Sequence, residues 1–214
     1  MRARRGPWAD LRRTLRDSVR SDGEVLRLGR LKRRARPRKV LLLIDVSGSM
    51  KGRTDDNMKL AHALIHAAPH VEVFTFGTRL TRVTRALRLK RREQALSAAA
   101  HLVSDWDGGT RIGDALQAFL AVPRFGGYAR GAAVVIVSDG LERGDPSALR
   151  DAVAKLSRRA WRLSWLTPLA AGPGFQPQTE ALIAIRRFVD DLVDGGSTAA
   201  IVSHVLSLGQ RKAA

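Results

Sequence analysis

The run Val40-Leu-Leu-Leu-Ile-Asp45 constrains the fold more than any other stretch of this 214-residue chain. Five consecutive apolar residues leave no polar face for water, so an extended segment here must be covered on both sides. Parallel sheets flanked by helices bury their strands in this way. The stretch 132–138, Ala-Ala-Val-Val-Ile-Val-Ser, has the same character, and 71–76 and 162–166 read as further strands. A short edge strand is expected at 80–87 and a last one at 187–193. Helices are expected at 57–68 (ending before Pro69), 91–103, 112–122, 147–159 and 198–208. Asp145 and Pro146 supply an N-cap and a first-position proline for the helix at 147. Strands alternating with helices predict an α/β fold, a doubly wound, mostly parallel sheet flanked by helices, over residues 40–208. Residues 209–214 form a tail. The hydrophobic fraction of 44% suits a chain with a real core.

Charge is distributed unevenly. Lys and Arg number 38 against 20 Asp and Glu, a formal +18, and residues 1–39 hold 15 of those cations with four acids, so +11 lies there. Within this basic arm Leu11, Leu15 and Val19 recur every four residues, which predicts a short amphipathic helix over 8–20. Ser21-Asp22-Gly23 breaks it, and 25–31 reads as extended. Arg79, Arg82, Arg85, Arg88, Lys90, Arg91 and Arg92 make a second cluster. Such patches bind nucleic acid, anionic lipid or an acidic protein, or are simply solvated surface. Only Trp8 interleaves with the cations, a poor platform for stacking single-stranded bases. The absence of cysteine removes disulfides, thiolate nucleophiles, iron–sulfur clusters and Cys-based zinc sites. The start, Met-Arg-Ala-Arg-Arg, is no secretory peptide, and no apolar run approaches the ~20 residues of a membrane helix. A soluble cytoplasmic protein is expected.

Ligands of doubly wound sheets bind at the carboxyl ends of the strands. There the chain places Asp45-Val-Ser47-Gly-Ser49 after the first core strand and Ser138-Asp139-Gly140 after the third, with Asp107-Gly-Gly-Thr110 opening a helix between them. These are hard oxygen donors, with no nitrogen or sulfur nearby in sequence. Carboxylates with hydroxyls suit a small hard dication, Mg²⁺ or Mn²⁺, held with waters. Residues two apart at a strand end face the same way, and Gly48 is expected to allow the turn between the serines.

The pattern Asp-x-Ser-x-Ser, then a distant Thr, then a distant Asp, resembles the metal-ion-dependent adhesion site of von Willebrand factor A (VWA) domains. Asp45, Ser47, Ser49, Thr110 and Asp139 match it position by position. The wider set of segments, Asp-Val-Ser-Gly-Ser-Met at 45–50, Val-Glu-Val-Phe-Thr-Phe-Gly-Thr-Arg-Leu-Thr-Arg at 71–82, Asp-Trp-Asp-Gly-Gly-Thr-Arg-Ile-Gly-Asp at 105–114, Val-Ser-Asp-Gly-Leu-Glu-Arg-Gly-Asp at 137–145 and Trp-Leu-Thr-Pro-Leu at 165–169, resembles the CoxE-like family. The match runs from about residue 8 to 208. Family members usually carry a longer N-terminal helical region. The resemblance implies a VWA, Rossmann-like fold. It also implies direct metal contact by Ser47, Ser49 and Thr110, with Asp45 and Asp139 acting more often through water. An open coordination position would accept a carboxylate from an acidic client protein. Such proteins are commonly encoded beside a MoxR-type AAA+ ATPase and molybdenum hydroxylase subunits such as carbon monoxide dehydrogenase, which implies a role in maturing such an enzyme.

Enzymatic readings fit less well. A serine hydrolase elbow needs Gly where Val46 stands, together with a triad histidine, and an aspartyl phosphatase needs a second Asp where Ser47 stands. No Gly-rich phosphate-binding loop follows a strand. His62, His66 and His70 step by four, but Ala63 follows His62 and Pro69 intervenes, so they read as helix-face residues. Asp105 and Asp107 either support the metal loop or cap its turn. Trp161 and Trp165 read as core. The expectation is a non-enzymatic adaptor with no catalytic residues; the alternative is a nucleic-acid-binding VWA protein using the basic arm.

Overall fold

The computed structural model describes residues 2–3, 7–20, 27–31, 37–103, 111–143, 145–172 and 174–210. The chain divides into two compact units, Met1–Arg36 and Pro37–Ala214. In the first, strands β1 (Arg2–Ala3) and β2 (Trp8–Ala9) both pair antiparallel with β3 (Arg30–Leu31). Helix α1 (Leu11–Val19) is capped by Asp10, whose side chain accepts from the Arg13 amide. Thr14 and Ser18 are its buried residues, and the Thr14 hydroxyl accepts from the Gly29 amide. Leu11, Leu15 and Val19, whose spacing predicts the helix, stand exposed.

The second unit contains a six-stranded sheet. Its strands are β4 (Val40–Asp45), β5 (Val71–Phe76), β6 (Leu80–Arg82), β7 (Ala133–Val137), β8 (Arg162–Thr167) and β9 (Asp191–Asp194), in the order β6-β5-β4-β7-β8-β9. Every pair is parallel except β5 with β6. Leu41 and Leu43 point to one face with Phe74, Ile136 and Trp165; Leu42 and Ile44 point to the other with Val73 and Val135. Helices α5 (Ile112–Ala121), α7 (Ser147–Ser157) and α8 (Glu180–Ile185) cover the first face through Leu116, Phe119, Val153 and Leu182. Helices α2 (Lys51–Ala67), α3 (Thr84–Leu87), α4 (Arg92–Leu102) and α9 (Thr198–Gln210) cover the second through Met58, Ala61, Leu87, Ala99 and Ile201. The central apolar run is thus buried on both faces. A short helix, α6 (Pro123–Gly126), follows α5.

Four elements differ from the expectation. The edge strand ends at Arg82, because the chain turns at Val83 into α3, where Thr84 donates to the Glu72 carboxylate. Helix α2 begins at Lys51 rather than residue 57; its first turns carry few apolar residues, and the Thr54 hydroxyl donates back to Met50 O. The segment expected as strand 187–193 instead starts with a 3₁₀ turn, Arg186–Phe188. Pairing waits until Asp191, where Arg162 grips the Asp191 carboxylate and Leu163 N donates to Asp190. Pro146 occupies the cap position of α7, and Asp145 accepts from the Ser147 amide. Among the described residues no helix is long and apolar enough to cross a membrane.

Candidate metal centre

Because β4 and β7 are parallel neighbours, the loops leaving their carboxyl ends lie side by side. Asp45 is the last residue of β4, and Asp139 follows β7 by two residues. Asp45 has no exposed surface. Its Oδ1 accepts from the Ser47 amide at 2.9 Å and its Oδ2 from the Ser138 hydroxyl at 2.6 Å. The Ser47 and Ser49 hydroxyls approach to 3.2 Å. Asp139 is buried as well, and its Oδ1 accepts from the Leu141 amide at 3.0 Å. The structure therefore brings Asp45, Ser47 and Ser49 together and sets Asp139 beside them. Thr110 lies outside the described residues, as do Asp105 and Asp107.

Burial pushes the Asp45 carboxyl above its usual range against hydrogen bonds from Ser138 and Ser47, and the Asp139 charge adds a smaller push. Among the described residues neither aspartate forms a salt bridge. Two buried carboxylates without a cationic partner are costly, and a dication would offset both charges. The hydroxyl pair adds neutral oxygen donors. This donor set fits a small hard cation.

Supporting residues hold these groups in place. The Ser138 hydroxyl, which donates to Asp45, also accepts from the Gly140 amide at 3.0 Å, and the Trp165 indole donates to Ser138 O at 3.1 Å. Trp165 is core, as expected, and also anchors the loop. Gly140 has φ +72°, and a Cβ there would sit 2.6 Å from Leu182 Cδ2. Gly48, by contrast, does not adopt a positive φ, and a Cβ there would meet open space. The turn between the serines is a 3₁₀ segment, Gly48–Met50, with no need of glycine's freedom. The Glu142 carboxylate was not singled out by sequence. It accepts from the Gly113 amide at 2.8 Å in the first turn of α5. Burial raises its carboxyl despite that bond, and Asp114 adds to the rise. The only local hint is that Arg111, at the cap position of α5, offers no side-chain cap.

The histidines take other roles. His62 Nε2 lies 3.1 Å from Leu89 O and its ring 4.5 Å from that of His66, while His70 lies beyond the end of α2. Trp161 is half-buried beneath the Arg38 guanidinium.

Residues 1–201 match the family model of VWA domain containing CoxE-like proteins. The chain belongs to this family. Solved structures agree on the fold of the CoxE-like chain. A von Willebrand factor type A protein from Catenulispora acidiphila is 18% identical with a TM-score of 0.53, covering 81% of this chain and 42% of its own. The pilus adhesin SpaC of Lactobacillus rhamnosus GG is 13% identical with a TM-score of 0.53, covering 83% and 30%. Proximal thread matrix protein 1 of the mussel byssus, solved with a zinc-occupied MIDAS motif, is 16% identical with a TM-score of 0.50, covering 81% and 48%. The CoxE-like chain thus spans less than half the length of each. No curated protein matches it.

Proposed function

We propose that the CoxE-like chain is a non-enzymatic, cytoplasmic adaptor that binds Mg²⁺ or Mn²⁺ through Asp45, Ser47, Ser49, Thr110 and Asp139. It would act with a MoxR-type AAA+ ATPase in maturing a molybdenum hydroxylase such as carbon monoxide dehydrogenase. The observation that carries the metal reading is the buried Asp45 carboxylate, set beside Asp139 and the facing Ser47 and Ser49 hydroxyls. When bound, the cation supplies a positive charge able to accept a carboxylate from an acidic client. The chain's own residues supply the frame: Ser138 orients Asp45, and the Leu141 amide orients Asp139. The Ser47 and Ser49 hydroxyls face each other and the Ser138 hydroxyl faces the Asp45 carboxylate rather than an imidazole, which favours binding over nucleophilic catalysis. The ATPase and the client class come from family membership.

A capture experiment tests the reading. Purified MoxR-type ATPase is expected to be retained by the full chain in magnesium, with retention lost in chelator and weakened by Asp45→Ala. Retention indifferent to both would remove the metal bridge.

A further inference from the structure

We infer that Glu142 is a positioning residue that clamps the loop carrying Asp139 to the start of α5 and so sets cation affinity without touching the cation. The inference rests on the metal-binding reading above and adds a residue to it.

The loop after β7 is wound tightly. Ser138 Oγ accepts from the Gly140 amide, Asp139 Oδ1 from the Leu141 amide, and Gly140 O from the Glu142 amide. Glu142 then reaches across to the first turn of α5, where its Oε2 accepts from the Gly113 amide at 2.8 Å. Helix α5 starts two residues after Thr110 in the chain, and Arg111 provides no side-chain cap. A carboxylate from another loop therefore does the capping, 29 residues away in sequence. The Glu142 side chain thus bridges loop and helix.

The other side of the joint is closely packed. A Cβ on Gly113 would lie 2.5 Å from Leu149 N and 2.9 Å from Ala148, so the start of α5 presses directly on the backbone of α7. With α7 fixed behind Gly113, the Glu142 bond sets how the start of α5 stands against the loop that carries Asp139. Groups that orient metal ligands in this way typically contribute 10–100-fold in affinity.

The test is calorimetric titration of MnCl₂ into the full chain, with Asp45→Asn as the control. Glu142→Ala is expected to weaken Mn²⁺ binding by at least about ten-fold, whereas Glu142→Gln, which keeps a carbonyl acceptor, recovers most of it. Hydrogen exchange at Gly113 should quicken in Glu142→Ala and stay slow in Glu142→Gln. Should Glu142→Ala fold poorly, Glu142→Asp, one methylene too short to reach, serves in its place. Wild-type affinity in Glu142→Ala, with binding lost in Asp45→Asn, overturns the clamp and leaves the metal site standing. Equal weakening in Ala and Gln overturns it too, because charge rather than the hydrogen bond then matters. If the wild-type chain takes up no Mn²⁺, the metal reading fails and the clamp with it.

Discussion

Asp45 is a carboxylate with no exposed surface, and among the described residues it accepts from neutral donors, the Ser47 amide and the Ser138 hydroxyl. Such a group lowers the stability of the metal-free protein and raises its affinity for cations. Asp45→Asn keeps the shape and removes the charge. The metal-free variant should melt at the wild-type temperature or above it, while the stabilisation by millimolar Mg²⁺ or Mn²⁺ disappears. At a cation concentration of 100 Kd that stabilisation is about 2.7 kcal/mol in the wild type. Thermal melts in cation and in chelator check both halves; a variant still stabilised by cation would place the metal elsewhere. Ser138 makes the complementary case. Its hydroxyl gives one short bond to a buried carboxylate and takes another from Gly140 N. Ser138→Ala leaves both partners unsatisfied, with an expected loss of about 1–3 kcal/mol in urea unfolding. A loss under about 0.5 kcal/mol would mean that these partners find replacements.

At the scale of elements, what could be read from sequence was whatever a local pattern dictates. Leu41 to Ile44 have no polar face, so a doubly covered strand was the only solution, and the Asp-x-Ser-x-Ser spacing at its end was equally local. Helices α3 and α8, at four and six residues, are too short to show a period. The role of Glu142 depends on a helix start 29 residues earlier, and the start of β9 depends on Arg162 in β8. Contacts of this kind are made by the fold and leave no mark in either segment alone. The β8–β9 joint carries a prediction. Burial would raise the Asp191 carboxyl, but bonds from Arg162 and Ser164 outweigh it and hold the group below its ordinary 3.8. A lowered folded pKa contributes stability that is complete above the unfolded pKa and is lost as pH falls through the folded pKa. Asp191→Asn should therefore cost roughly 1–3 kcal/mol at pH 7, less than a fully buried pair because Arg162 is 24% exposed. The gap from wild type should close as pH drops below about 3.8, as measured by urea unfolding from pH 7 to pH 3. A gap constant with pH would mean that the loss comes from packing alone.

For the whole molecule, the formal charge of +18 sets the adaptor reading against nucleic-acid binding. More than half of that charge lies in residues 1–39, none of which is a metal-site residue, so the two activities are separable by mutation. A chain this basic is expected to hold duplex DNA at low salt whatever its function, because releasing counterions from phosphates is favourable and indifferent to sequence. What decides is how quickly that binding fades. A protein that neutralises six to ten phosphates loses about 10³–10⁵ in affinity between 50 and 200 mM salt. For the full chain we expect a random duplex to be bound at 50 mM salt and released by 200 mM. Arg12→Ser, Arg16→Ser and Arg20→Ser, all at exposed positions of α1 or its end, should shallow the slope of log K against log salt by about 0.9 for each phosphate no longer neutralised. Asp45→Asn should leave that slope alone while abolishing cation-dependent ATPase capture. Duplex binding that survives 200 mM salt and competes with the ATPase would reverse the assignment, making the arm the functional surface and the oxygen-rich site its accessory.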